Sequence, residues 1–117
     1  MEQKITYTVA HVGISHEDDR QAAETLTLLM KLFDLEPQKE DASKVFAGDI
    51  IEVMKHKRLG ERGHIALRTE DVELAMADLA AKGVTFRENT VRRNAEGKII
   101  FVYLTQEIAG FAIHLTV

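Results

Sequence analysis

The chain repeats itself, and the repeat limits what it can fold into. His11-Val12-Gly13-Ile14 is followed by Ser15-His16-Glu17-Asp18, and His64-Ile65-Ala66-Leu67 by Arg68-Thr69-Glu70-Asp71. Both stretches read histidine, three small or aliphatic residues, two mixed residues, then Glu-Asp. A second pair lies further along: Ala47-Gly48-Asp49-Ile50-Ile51-Glu52-Val53 and Ala109-Gly110-Phe111-Ala112-Ile113-His114-Leu115. His11 and His64 are 53 residues apart and Glu52 and His114 are 62 apart, so the second half carries nine more residues. A longer hairpin around Asn94-Ala95-Glu96-Gly97 would absorb them. Such duplication predicts two copies of one motif sharing a core, with modules at 5–58 and 62–117 of a single domain and a seam near Arg58–Gly63.

Each half has the same pattern of elements. Tyr7–Ser15 is β-rich, and Glu17–Phe33 is helical, with Ala22, Leu26, Leu29 and Phe33 spaced as one apolar stripe. Ser15 or His16 precedes its acidic first turn. Short strands are expected near Gln38–Asp41, Lys44–Phe46 and Ile50–Lys55. The second half opens with a strand at His64–Arg68. Thr69 is the expected N-cap of a helix over Glu70–Lys82, whose stripe is Val72, Ala75, Met76 and Leu79. Gly83 stands where a helix ends through a left-handed residue. Val84–Arg93, Lys98–Leu104 and Phe111–Val117 complete the order βαβββ, twice. The predicted class is α+β, two βαβββ modules forming a curved mixed sheet, a half-barrel cup.

Strand alternation turns the repeat into a site. Val12 and Ile14 share one face of the first strand; His11 and Gly13 share the other. By the same rule Glu52 opposes Ile51 and Val53, His64 opposes Ile65 and Leu67, and His114 opposes Ile113 and Leu115. Four strands thus each carry one metal-capable side chain away from the aliphatic face. The small residues Gly13, Ala66 and Ala112 lie two positions away and leave room for a cavity. Three imidazoles and one carboxylate suit a borderline divalent ion: Zn, Ni, Fe, Mn or Co. One strand histidine alone is explained by packing; four such residues at repeat-related places point to a metal. His16 and His56 have no repeat partner and are expected to face solvent. The run Lys55-His56-Lys57-Arg58 reads as a solvated loop with a rim role open to it.

A net charge of −4 disfavours nucleic acid and anionic membranes as main partners. The absence of cysteine excludes disulfides, thiolate zinc sites and thiol catalysis. Met1–Thr8 lacks the features of an export signal, and no apolar run is long enough to span a bilayer, which is compatible with a cytoplasmic location.

In these residues the chain resembles the vicinal oxygen chelate superfamily, which includes glyoxalase I, methylmalonyl-CoA epimerase, extradiol dioxygenases and fosfomycin- and bleomycin-resistance proteins. The resemblance rests on His11-Val-Gly-Ile, Leu32-Phe33-Asp34-Leu35, Gly63-His64-Ile65-Ala66-Leu67, Leu79-Ala-Ala-Lys-Gly83-Val-Thr-Phe86 and the glycine-led last strand. It implies paired βαβββ modules and a divalent metal held by His11, Glu52, His64 and His114. It also implies a homodimer and a small-molecule substrate. His114 stands where many relatives have glutamate, so the resemblance does not extend to the glutamate-based proton shuttle of glyoxalase I. Phe46-Ala-Gly-Asp-Ile-Ile-Glu-Val-Met-Lys55 and Glu107-Ile-Ala-Gly-Phe-Ala-Ile-His-Leu115 more weakly resemble the glyoxalase-like domain attached to 2-keto-3-deoxy-6-phosphogluconate aldolase-type proteins.

The function this implies is a metal-dependent isomerase or lyase acting on a small sugar acid or keto acid through a metal-stabilised enediolate. Glu52 is the candidate base, and Arg68 and Tyr103 are candidate substrate contacts. The alternative is a non-catalytic ligand-binding or regulatory module associated with a sugar-acid aldolase. Absent tryptophan and 6% aromatic content weigh against a stacking drug binder. A dioxygenase, which is usually longer, is the poorer third option.

Overall fold

A computed structural model describes residues 4–117. The reading of Met1–Thr8 falls partly on residues 1–3, outside the described residues. The elements are β1 (Thr8–Ile14), α1 (Asp19–Phe33), β2 (Pro37–Gln38), β3 (Lys44–Ala47), β4 (Ile51–Met54), β5 (Gly63–Arg68), α2 (Val72–Ala81), β6 (Phe86–Arg93), β7 (Ile99–Ile108) and β8 (Phe111–Thr116). They form an α+β fold with one eight-stranded mixed sheet in the order β2-β3-β4-β1-β5-β8-β7-β6. The two βαβββ halves join within one chain. β1 pairs with β5 antiparallel, while each lies parallel to the last strand of its own half, β4 or β8.

Side-chain alternation divides the sheet into two faces, as the sequence predicts. One face packs under the helices in two cores. Ala22 of α1 meets Val45, Ala47 and Val53; Val72 and Ala75 of α2 meet Val102, Leu104, Ile113 and Leu115. The other face carries Phe46, Glu52, Phe101, Tyr103 and His114, each one position away from a core residue of its strand. Among the described residues no helix is long and apolar enough to cross a membrane.

Several local expectations are corrected. Asp18 and Asp71 are the N-caps, accepting from the amides of Gln21 and Leu74. Carboxylates at these positions satisfy the free N–H groups of the first turn, so the helices start later than Ser15, His16 or Thr69 would allow. Thr69 is buried, and its amide donates to the carbonyl of Thr116. The strand expected at Gln38–Asp41 stops at Gln38, because the Asp41 carboxylate accepts from the amides of Ser43 and Lys44 and bends the chain. Phe33, placed in the buried stripe of α1, is 65% exposed, because the helix ends there through Asp34 at φ 57°. His16 does not face solvent. It is buried, its Nδ1 2.7 Å from the Met54 carbonyl oxygen and its Nε2 2.7 Å from the Thr25 hydroxyl. His56 is exposed, 3.6 Å from Asp19.

Candidate metal centre

The site is built by register. Gly13 stands between Glu52 on β4 and His64 on β5, and His64 is followed across the sheet by Ala112. Two residues away runs a second row, in which Ala66 stands between His11 and His114 and Tyr103 follows. Neighbouring strands lie about 4.8 Å apart. A glycine or alanine between two ligating residues therefore lets their side chains lean toward each other over the small one. A Cβ at Gly13 would overlap the His64 ring, so the glycine is a steric requirement of the site. β1 has one extra residue between Val9 and His11, a bulge that sets the facing of His11.

The tips converge. Ligand nitrogens of His11, His64 and His114 all lie within 4.8 Å of one another. The Nε2 atoms of His11 and His64 are 3.2 Å apart. Glu52 Oε1 lies 2.8 Å from His64 Nε2 and 3.4 Å from His11 Nε2. Yet Glu52 Oε1 and His114 Nδ1 are buried without an aligned hydrogen-bond partner. Buried polar atoms without aligned partners are costly and rare; two of the three such side-chain atoms among the described residues lie here, the third being the Tyr7 hydroxyl beside the α2 core. A donor set of imidazoles with a carboxylate fits a borderline divalent ion. The His11, His64 and His114 trio could hold one.

Electrostatics favour the ligand forms of His11, Glu52 and His114. Burial, aided by the charges of His64 and His11, pushes His114 down to about 4. Burial also lowers His11; Glu52 opposes that shift, while His64, Arg68 and Lys39 add to it. Burial works to raise the Glu52 carboxyl, but the neighbouring His64 and His11 outweigh it and hold it below the usual carboxylate range. Near neutral pH the centre thus offers two unprotonated imidazoles, on His11 and His114, and an ionised carboxylate.

Of the other sequence candidates, Tyr103 is brought to the site, its ring 4.9 Å from that of His114 and 6.4 Å from that of His64. Burial raises its phenol above the usual value, so it stays protonated. Arg68 lines a different cleft of about 330 Å³ with Thr8 and Glu70, although its charge is felt at His11. Sequence reasoning missed Phe46, edge-on to His11 at 5.5 Å, and Phe101, 4.4 Å from His114. Alternation from Glu52's partner strand and from Tyr103 would have found both.

By sequence, the chain matches no family profile and no curated relative. In structure it is similar to a methylmalonyl-CoA epimerase at 16% identity, TM-score 0.65, over 98% of this chain and 97% of the other. It is likewise similar to a hypothetical protein of Bacillus halodurans C-125, at 18% identity and TM-score 0.63 over 95% and 94% of the two chains. Streptomyces coelicolor methylmalonyl-CoA epimerase in complex with 2-nitronate-propionyl-CoA matches at 19% identity and TM-score 0.61 over 96% of each. At these identities the likeness is one of fold.

Proposed function

We propose that this chain is a metal-dependent isomerase or lyase that moves a proton on a carbon next to a carbonyl of a small oxygenated acid. One observation carries the reading: four side chains from repeat-related strands meet at one buried point, where Glu52 Oε1 lies 2.8 Å from His64 Nε2 and 3.4 Å from His11 Nε2 and His114 Nδ1 is buried without a hydrogen-bond partner. The structural neighbours named as epimerases favour isomerase over lyase.

In this reading His11, His64 and His114 hold the ion, and Glu52 closes the donor set when no substrate is present. A divalent ion there supplies Lewis acidity toward an oxygen of the substrate. Glu52 is ionised at neutral pH and would take up the proton on its carboxylate. Tyr103, kept protonated by burial, donates a hydrogen bond to a substrate oxygen. Arg68, which lines a separate cleft, acts on the centre through its charge at His11. A homodimer belongs to the reading, because α1 exposes Leu28, Leu32 and Phe33.

The test is solvent deuterium incorporation into α-hydroxy and α-keto acids, followed by NMR with metal-loaded protein. The expected result is exchange that requires metal, and that falls at least ~100-fold in Glu52→Gln while the three histidines retain the ion. A metal-loaded protein that binds such acids and exchanges no proton would instead support the ligand-binding module beside an aldolase.

A further inference from the structure

The extra residues of the second half have a definite place. The turns 39–43 and 94–98 are equal in length, and the surplus lies in the arms. β6 and β7 have 8 and 10 residues, against 2 and 4 in β2 and β3. Within the longer arms the pairing slips: Arg87 faces Tyr103 and Arg92 faces Phe101, so residues 88–91 stand opposite Val102 alone. Such a bulge re-aims side chains. It is pinned by Thr90, whose hydroxyl donates to the Arg87 carbonyl at 2.6 Å and accepts from the Tyr103 amide at 2.9 Å.

The bulge makes one wall of a cleft of about 390 Å³, closed on the other side by Arg58 and Leu59 from the seam between the halves. The cleft adjoins the metal centre, since Tyr103 and Phe101 line it and both rings touch His114. The Arg92 guanidinium lies 4.5 Å over the Phe101 ring, which is itself 4.4 Å from His114. A cation thus stands two contacts from an imidazole of the centre. No acidic side chain lines the cleft, although the chain carries a net charge of −4. Among the described residues neither Arg58 nor Arg92 is engaged in an ion pair. Both charges reach the Tyr103 phenol, where they oppose the effect of burial.

We propose that the bulge is the specificity device of this protein: Arg58 and Arg92 grip a second oxyanion, carboxylate or phosphate, on the acid whose vicinal oxygens face the histidine centre. Guanidinium forks bind such groups with paired, charge-assisted hydrogen bonds. The inference rests on the function proposed above for what happens at the histidines; the anion grip itself needs no metal.

The test compares three α-hydroxy acids by calorimetric titration of metal-loaded protein. Lactate has no second anionic group, malate adds a carboxylate and 3-phosphoglycerate adds a phosphate. Malate or 3-phosphoglycerate is expected to bind at least about tenfold more tightly than lactate, and the stronger of the two identifies the oxyanion. Arg58→Gln and Arg92→Gln should each weaken that ligand about tenfold, with metal content unchanged. Equal binding of all three acids, or variants that leave the order intact, would overturn the proposal. A second arm titrates malonate and inorganic phosphate into metal-free protein and follows NMR shifts. Arginine-dependent binding there upholds the anion grip even if the metal reading fails; its absence overturns the grip.

Discussion

Gly13 is the residue on which the centre turns. It pairs with both Glu52 and His64, and its backbone lies outside the left-handed region, so alanine is tolerated by the chain but not by the His64 ring. Gly13→Ala should therefore stay folded by circular dichroism and bind metal at least about tenfold more weakly in a chelator competition. His114 makes a pH prediction. Its folded value of about 4 lies below the model-peptide value of 6.5, so the unfolded chain binds more protons between these values. Stability of the metal-free protein is complete above pH 6.5 and is lost as pH falls toward 4. Melting temperature against pH should show that slope, and His114→Gln should flatten it. Sequence alternation and the repeat made the convergence of His11, Glu52, His64 and His114 legible. They could not reveal the electrostatics, which depend on how deeply each ring is buried.

At the scale of elements, the stripe of α2 and the left-handed Gly83, φ 92°, follow the sequence pattern. The starts of both helices do not, because several acceptors stand within a few residues and the cap is the one whose carboxylate reaches a first-turn amide from an extended backbone. Asp18 and Asp71 meet that condition, with φ of −155° and −136°. His16 departs from its expected solvent-facing place through a contact specific to the first half. It is absent from the repeat because it ties the first half alone, linking α1 to the end of β4 through Thr25 and the Met54 carbonyl. His16→Ala leaves that carbonyl and hydroxyl unpaired, and should lower unfolding free energy by about 1–3 kcal/mol in urea titration while the metal content holds. The bulges at Val9–His11 and 88–91 were invisible for a different reason: a bulge is a mismatch between two strands, and neither strand alone records it.

Across the whole molecule, the duplication explains why one side of a single sheet can carry a site while the other carries two cores. Pairing of β1 with β5 inside one chain was beyond the sequence, since the same strands could pair between two chains with identical register. The exposed Leu28, Leu32 and Phe33 of α1 give the proposed homodimer its surface. Sedimentation equilibrium should report twice the 13.2 kDa chain mass, and Leu32→Glu should return the monomer with the metal site intact. The central claim is that His11, His64 and His114 share one ion. Crystals grown with cobalt or nickel and measured at the metal absorption edge test it most directly. The account predicts a single anomalous peak among the three imidazoles, next to Glu52. Metal-saturated crystals with no peak in the cup, and the imidazoles bonded only to protein, would contradict it.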